Sequence, residues 1–385
     1  MLELSKNPIK LPFINVLEHN LARSSKFIQV ILGPRQVGKT TTILQYLTEK
    51  HLGKHLYVSS DMVFNTSPQW LREQWQTAKS NNMLLVIDEI QKCMNWAEAI
   101  KNLWDADKRT SNPIGCILLG SSSLQIQKGL TESLTGRFQL IQAYHWNASE
   151  SYQGYDLNFE TYLKYGGYPG SYQFIGDDNW RQYVHSSIIS TVIEKDILQF
   201  NTVKNPALFK QAFEILMGYP AMEISYTKLL GQLQERGNVE LIKYYLDLYQ
   251  GAFLVKILDK YTKSKILTKS SSPKILPLAP CLYYLGILAD YSPDERGRAF
   301  EALVGAQLVR TGFDLYYWRE GKYEVDFVLK AGRKVWAIEV KSGRKRMASG
   351  IESFLEKYPG SKAVVITPDN YVEFETNPMA FLASL

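Results

Sequence analysis

Three cysteines in 385 residues, Cys93, Cys116 and Cys281, are too few and too scattered for a disulfide framework, and none falls at CxxC spacing. A reducing, cytoplasmic setting fits such a chain best. Histidine is scarce too: His19, His51, His55, His145 and His185 form no metal-binding pattern. The segment from Met1 to Leu11 lacks a basic stretch followed by an apolar run, so no signal peptide is expected. The longest apolar stretch, from Ile275 to Ala289, is too short to span a bilayer and contains Pro277 and Pro280. Buried core is expected there, and no membrane partner. Internal repeats and low-complexity tracts are absent. Neither charge sign dominates: 44 Lys and Arg against 38 Asp and Glu leave +6, which permits nucleic-acid contact without demanding it.

What is present is an ordinary globular composition, 45% hydrophobic and 21% charged, in a chain long enough for two or three domains. The first part alternates strand-like runs (27–32, 55–59, 83–88, 115–120, 138–144) with helical ones (40–50, 96–106). Several strands are continuously apolar, as in a parallel sheet covered on both faces. The alternation implies a doubly wound α/β domain over residues 1–154. Residues 155–205 read as a helical connector, with a turn at Gly166, Gly167 and Pro169. Over 206–290, Ser225 caps a helix at 226–235, a turn at Gly237 leads to a second helix at 239–249, and strands follow at 253–257 and 265–268. That order resembles a winged helix. Residues 291–385 read as a small α/β domain: helix 298–310, strand 313–318, hairpin 324–329 and 335–341, helix 351–357 and strand 363–367.

Gly33-Pro34-Arg35-Gln36-Val37-Gly38-Lys39-Thr40 matches G-x-x-x-x-G-K-[ST] between an apolar strand and a helix. Its glycines let backbone N–H groups close on phosphate oxygens, and the helix that begins there adds its positive end. Residues 33–41, Thr41 included, are therefore expected to bind ATP. Lys39 would reach the β- and γ-phosphates and Thr40 would hold Mg²⁺. A lone carboxylate at the end of a buried strand costs stability unless it has a use. Asp88 would serve the same magnesium, and Glu89 would activate the attacking water. Helix capping is the plainer reading of these two acids. Ser121 or Ser122, at the tip of the next strand, fits a γ-phosphate sensor; a Ser-rich turn is the alternative. Arg137, in Leu134-Thr-Gly-Arg, suits the arginine that neutralises developing phosphoryl charge, commonly in a neighbouring subunit. A surface arginine is the other reading.

These blocks, with Tyr165-Gly-Gly-Tyr-Pro169, Glu194-Lys-Asp196, Glu324-Val-Asp326 and Ile338-Glu-Val-Lys341, resemble the prokaryotic AAA-type ATPases that carry a C-terminal domain of unknown function. The resemblance covers nearly the whole chain. His145-Trp-Asn-Ala-Ser-Glu150 departs from the family's usual Pro-Leu-Ser-Phe-type segment. The resemblance implies ATP hydrolysis, a homo-oligomer in the form of a ring, and work on DNA.

In the last domain Glu301 lies on a helix, Asp326 on one strand, and Glu339 and Lys341 on one face of the next strand. The set resembles the PD-(D/E)XK nuclease fold, including archaeal Holliday-junction resolvases, although Val325-Asp326 stands in place of Pro-Asp. The resemblance implies that Asp326 and Glu339, helped by Glu301, bind a second Mg²⁺ or a Mn²⁺, and that Lys341 positions water or stabilises phosphate charge. Arg333, Lys334, Arg344, Lys345 and Arg346 would contact phosphates. Branched DNA is the expected substrate. An ATP-driven DNA remodeller with an inactive nuclease fold, and a nucleotide-switched module that binds a protein partner, both stay open.

Overall fold

The computed structural model describes residues 9–23, 27–50, 53–62, 66–110, 112–121, 124–199, 201–233, 238–263, 271–343 and 349–384. Ser122, Gly237, the expected strand at 265–268, and Arg344, Lys345 and Arg346 lie outside them. The chain divides into two compact units, Asn7–His145 with Ser190–Asn201, and Trp146–Ile189 with Thr202–Leu385.

In the first unit the elements are α1 (Phe13–Arg23), β1 (Ile28–Gly33), α2 (Lys39–Lys50), β2 (His55–Ser59), α3 (Pro68–Ser80), β3 (Leu84–Asp88), α4 (Trp96–Asp107), β4 (Cys116–Ser121), α5 (Leu124–Ser133) and β5 (Phe138–Gln142). The sheet order is β2-β3-β4-β1-β5, and every pairing is parallel. Successive side chains of a strand face opposite sides. On β1, Ile28, Val30 and Leu32 join a core with Leu85, Ile87, Cys116 and Leu118 and with Trp75 and Trp96 of the helices. The alternate residues Ile31, Val86, Ile117 and Leu119 are fully buried too. Both faces are therefore covered, which is why these strands read as unbroken apolar runs. Parallel strands bring Gly33, Ser59, Asp88 and Ser121 to one edge, the carboxyl edge at which open α/β sheets bind ligands.

The second unit begins with α6 (Ala148–Tyr155), α7 (Phe159–Tyr165) and α8 (Asn179–Tyr183). Next come α9 (Pro206–Met217), β6 (Met222–Glu223), α10 (Tyr226–Gln232), α11 (Val239–Gly251), β7 (Val255–Leu258) and β8 (Lys274–Pro277), with the strands in an antiparallel β6-β8-β7 sheet. Ser225 caps α10 by accepting from the Lys228 N–H. The last elements are α12 (Pro280–Tyr284), α13 (Pro293–Val309), β9 (Asp314–Glu320), β10 (Tyr323–Ala331), β11 (Lys334–Val340), α14 (Ser349–Lys357), β12 (Lys362–Ile366), α15 (Pro368–Thr376) and α16 (Pro378–Ser384). Their sheet runs β12-β11-β10-β9, antiparallel except for β11 with β12.

The three later segments read from the sequence share one core in this unit. Tyr162 and Leu163 of α7, Leu258 and Leu276 of the small sheet, and Phe300, Phe327 and Ile338 of the last segment belong to the same buried cluster. Buried polar groups are matched around it. Glu375 accepts from the N–H groups of Ala148 and Ser149 at 3.0 and 2.9 Å, at the positive start of α6, and Arg310 pairs with Glu150 at 2.8 Å. The β9–β10 register shifts between Val325 and Val328, the stretch that holds Asp326. Against it, Gly350 lies so close to the Glu324 carbonyl that an added Cβ would fall 1.9 Å from the oxygen. Among the described residues no helix is long and apolar enough to cross a membrane.

Candidate active site and a second carboxylate cluster

The phosphate loop leaves β1 at Gly33, where a Cβ would lie 2.4 Å from the Ala143 carbonyl oxygen, so only glycine lets the two backbones approach. Gly38, at φ +86°, makes the turn into α2 in a conformation that L side chains rarely adopt. Lys39 and Thr40 are the first residues of that helix. The Lys39 ammonium donates to the carbonyls of Gly33 and Pro34 at 2.9 and 2.6 Å. Burial pushes Lys39 down to about 8, against the opposing pull of Glu89, Asp88 and Asp196.

Asp88 ends β3 buried, and each of its oxygens has a use. Oδ2 accepts from the Thr40 hydroxyl at 2.7 Å and from the Tyr57 hydroxyl at 2.8 Å; Oδ1 accepts from the Glu89 N–H at 2.8 Å. Glu89 holds the left-handed backbone at φ 51°, an uncommon choice for glutamate that places strain at the end of β3. Burial raises its carboxyl above the ordinary range, while Arg35 and Lys39 pull it back. Its carboxylate accepts from Gln91, which also donates to Ser121 Oγ at 3.1 Å. Ser121 in turn donates to Asp196 at 3.3 Å, and Asp196 receives Arg35 in two parallel bonds of 2.6 and 2.7 Å. The structure thus gathers Gly33, Pro34, Arg35, Gly38, Lys39, Thr40, Asp88, Glu89 and Ser121 at one sheet edge. Val37 is buried beneath the loop; Gln36 and Thr41 are exposed.

Arg137 is not brought there. Its carbonyl accepts from the Ile28 N–H, at the opposite end of β1 from Gly33. Its guanidinium pairs twice with Asp105 of α4, at 2.9 Å each, beside the Trp104 ring.

In the second unit Glu301, Asp326, Glu339 and Lys341 do converge, and a residue that no motif marks bridges Glu301 and Asp326. Lys274 opens β8 with its side chain 2% exposed. It donates to Glu301 at 2.5 Å and to the Asp326 carbonyl at 3.1 Å, over the Phe327 ring. Lys341 bonds Glu339 at 2.5 Å, and Asp326 accepts from the Val340 N–H at 2.7 Å. Burial lifts Glu301 to about 7, against the pull of Lys274; burial and then Asp326 lift Glu339 to about 6. Burial raises Asp326 as well. Three crowded carboxylates call for a cation, and two lysine ammoniums supply it. Glu339 Oε2 is nevertheless buried with no hydrogen-bond partner. Among the described residues no three His, Cys, Asp or Glu side chains are placed to hold a metal together. Arg333 and Lys334 sit at the turn of the β10–β11 hairpin, away from the carboxylate end.

The sequence signal for Lys274 is a lone charge between Pro273 and the apolar Ile275-Leu276, which reads as a strand end and not as a site. Its substitution is expected to cost much. Lys274→Met should destabilise the second unit by about 3 kcal/mol, because it leaves Glu301 without its partner. Glu301→Leu added to it should recover most of that loss. Urea unfolding checks both; a loss under about 1 kcal/mol contradicts the pairing.

A family model described as an AAA domain matches residues 25–152. Two domains of unknown function match residues 156–284 (DUF8612) and 296–382 (DUF4143). The chain is 26% identical over 333 residues to an uncharacterized protein of Methanocaldococcus jannaschii, covering 78% of this chain and 72% of that protein. It is 20% identical over 385 residues to an uncharacterized protein of Haemophilus influenzae, covering 92% of each. The Walker-type ATPase of Pyrococcus abyssi is similar in fold, with a TM-score of 0.51 at 14% identity over 73% of this chain and 98% of that one. With the phosphate loop, the strand-end acids and a five-stranded parallel sheet in place, residues 25–152 are an AAA-type ATPase domain.

Proposed function

We propose that this ATPase works on DNA, with branched DNA such as four-way junctions as substrate, and that its second unit cleaves phosphodiesters at Asp326, Glu339 and Lys341. At the ATP site Thr40 and Asp88 would hold Mg²⁺; their oxygens are 2.7 Å apart, and the ion would neutralise phosphate charge. Lys39 and the loop amides then position the phosphates, and Glu89 takes the proton of the attacking water. The helix-strand-helix-helix-strand-strand order of 206–277 supports a winged-helix reading, a fold that suits DNA contact.

The observation that carries the nuclease reading is the orphan Glu339 Oε2, buried beside Asp326 and Lys341. Buried carboxylate oxygens without a donor are costly, and a divalent cation would satisfy this one. Asp326 and Glu339 would hold that ion, which would supply an activated water. Lys341 would steady the phosphate. Glu301, engaged by Lys274, takes a supporting place. Lys274 also favours a second reading, a DNA remodeller that does not cut, because it lowers the need for metal.

The test incubates labelled four-way junction with Mg²⁺ or Mn²⁺. Wild type should cut, and Asp326→Ala and Lys341→Ala should lose at least about 10²-fold in rate while ATP turnover survives. Binding without cutting supports the remodeller. Absence of DNA binding points to a protein partner, and equal cutting by all three proteins removes the site assignment.

A further inference from the structure

We propose that Arg35 is an arginine that stabilises phosphoryl charge in its own subunit's ATP site, and that Asp196, Ser121 and Gln91 are positioning residues that tie it to Glu89. This rests on residues 33–40 and 88–89 being the ATP site. The P-loop pattern leaves position 35 unspecified, so the sequence alone gives Arg35 no role beyond loop membership. The structure restricts it. Its side chain is 21% exposed and that of Asp196 1% exposed, and the two meet in the bidentate geometry that suits guanidinium and carboxylate.

A carboxylate as buried as Asp196 carries a large desolvation cost. The chain bears it on Val192–Leu198, a π-helical segment, a local geometry that recurs at functional sites. What the arrangement achieves is orientation. Two of the five guanidinium N–H donors face Asp196, which leaves three on a loop whose backbone N–H groups would close on phosphate. From Asp196 the bonds continue through Ser121 and Gln91 to the Glu89 carboxylate, so Arg35 and the water-activating group are the two ends of one side-chain network. Arg35 also acts electrostatically on both Glu89 and Lys39. The transferring phosphoryl group lies between the groups that Lys39 and Glu89 serve, and phosphoryl transfer gains most from fixed positive charge at that place. Arg137, at the far end of the sheet, cannot supply it within the same chain. Arg35 can.

The experiment measures steady-state kcat and KM, affinity for a fluorescent ATP analogue, and capture of ADP with aluminium fluoride, for wild type, Arg35→Gln, Arg35→Lys and Asp196→Asn. Arg35→Gln should lower kcat by about 10²–10³-fold, leave nucleotide affinity within about threefold, and abolish aluminium fluoride capture. Arg35→Lys should recover part of the capture, because it restores charge without the fork. Asp196→Asn should lower kcat by about tenfold, since it loosens Arg35 and keeps its charge. Mixing Arg35→Gln with Glu89→Gln should restore no turnover, because no subunit then holds both groups. The proposal is overturned by a kcat within about threefold of wild type in Arg35→Gln, or by rescue on mixing. A loss of nucleotide affinity equal to the loss of kcat also overturns it, as the mark of a loop that has merely come apart. If Lys39→Ala turns over as fast as wild type, the ATP-site assignment itself has failed.

Discussion

Glu89→Gln should still bind Mg–ATP and lose turnover by about 10³-fold, because the change removes the group that takes the water's proton and little else. Glutamine keeps the size of the side chain and an oxygen that can accept from Gln91, so the left-handed turn at residue 89 has no reason to shift. Lys39→Ala should fail one step earlier. The Lys39 ammonium is buried among Gly33, Pro34 and three acids, and its removal leaves phosphate charge and carboxylate charge facing each other; binding itself should fall. The pH profile adds a sign. Burial raises the folded-state pKa of Glu89, and only its deprotonated form accepts a proton. Turnover should therefore fall with decreasing pH through a value above the ordinary carboxylate range. Arg35→Gln should move that acid limb higher, since the guanidinium holds the pKa down. An acid limb at an ordinary carboxylate pKa, unmoved in Arg35→Gln, would count against Glu89 as the base.

Arg137→Ala should lower turnover by about 10³-fold and leave nucleotide affinity nearly unchanged, provided that hydrolysis takes place between subunits. The strand register is the reason to look between subunits. Ile28 pairs with Phe138, and β1 then runs five residues to Gly33, roughly 16 Å along the strand. An arginine side chain cannot span that distance to its own phosphate loop. Asp105 fixes the guanidinium from one side and the Trp104 ring lies beside it, an orientation set before any neighbour arrives. Mixing Arg137→Ala with Glu89→Gln should then restore part of the activity, because some interfaces combine an intact Glu89 with an intact Arg137. The same mixing should fail for Arg35→Gln, so one assay separates an arginine acting across an interface from one acting within a chain. Full activity in a species that sediments as a monomer would refute the role of Arg137 and leave its ion pair with Asp105 a local one.

The two sites differed in how far the sequence disclosed them. The ATP site rests on two short runs, each at the end of an apolar strand, and parallel pairing forces such ends to one edge. That residues 33–40 and 88–89 meet at one edge was therefore readable. The pairing of Arg35 with Asp196 was not, because Asp196 lies 161 residues away and nothing local signals it. Of the second cluster, the sequence shows three carboxylates and a lysine. Lys274 escaped because it stands 27 residues from Glu301 and opens an apolar run. The register shift between Val325 and Val328 was also hidden, since the apolar run Phe327-Val328-Leu329 reads equally well as a strand buried on both faces. Helix α13 starts at Pro293, five residues before the reading from apolar periodicity. Ser292, Pro293 and Glu295 form a capping box that a search for periodicity passes over. Periodicity passes over the start of α15 too, where Pro368 follows Thr367 and the Asn370 side chain accepts from the Thr367 N–H at 2.8 Å.

The most direct test is phosphate release from Mg–ATP by the purified chain, with and without four-way junction DNA, for wild type and Lys39→Ala. Wild type should release phosphate in a saturable way, and do so several-fold faster when the junction is added, while Lys39→Ala should stay at background in both. Equal release by the two proteins would contradict the ATP site, and wild-type release that no form of DNA alters would contradict work on DNA.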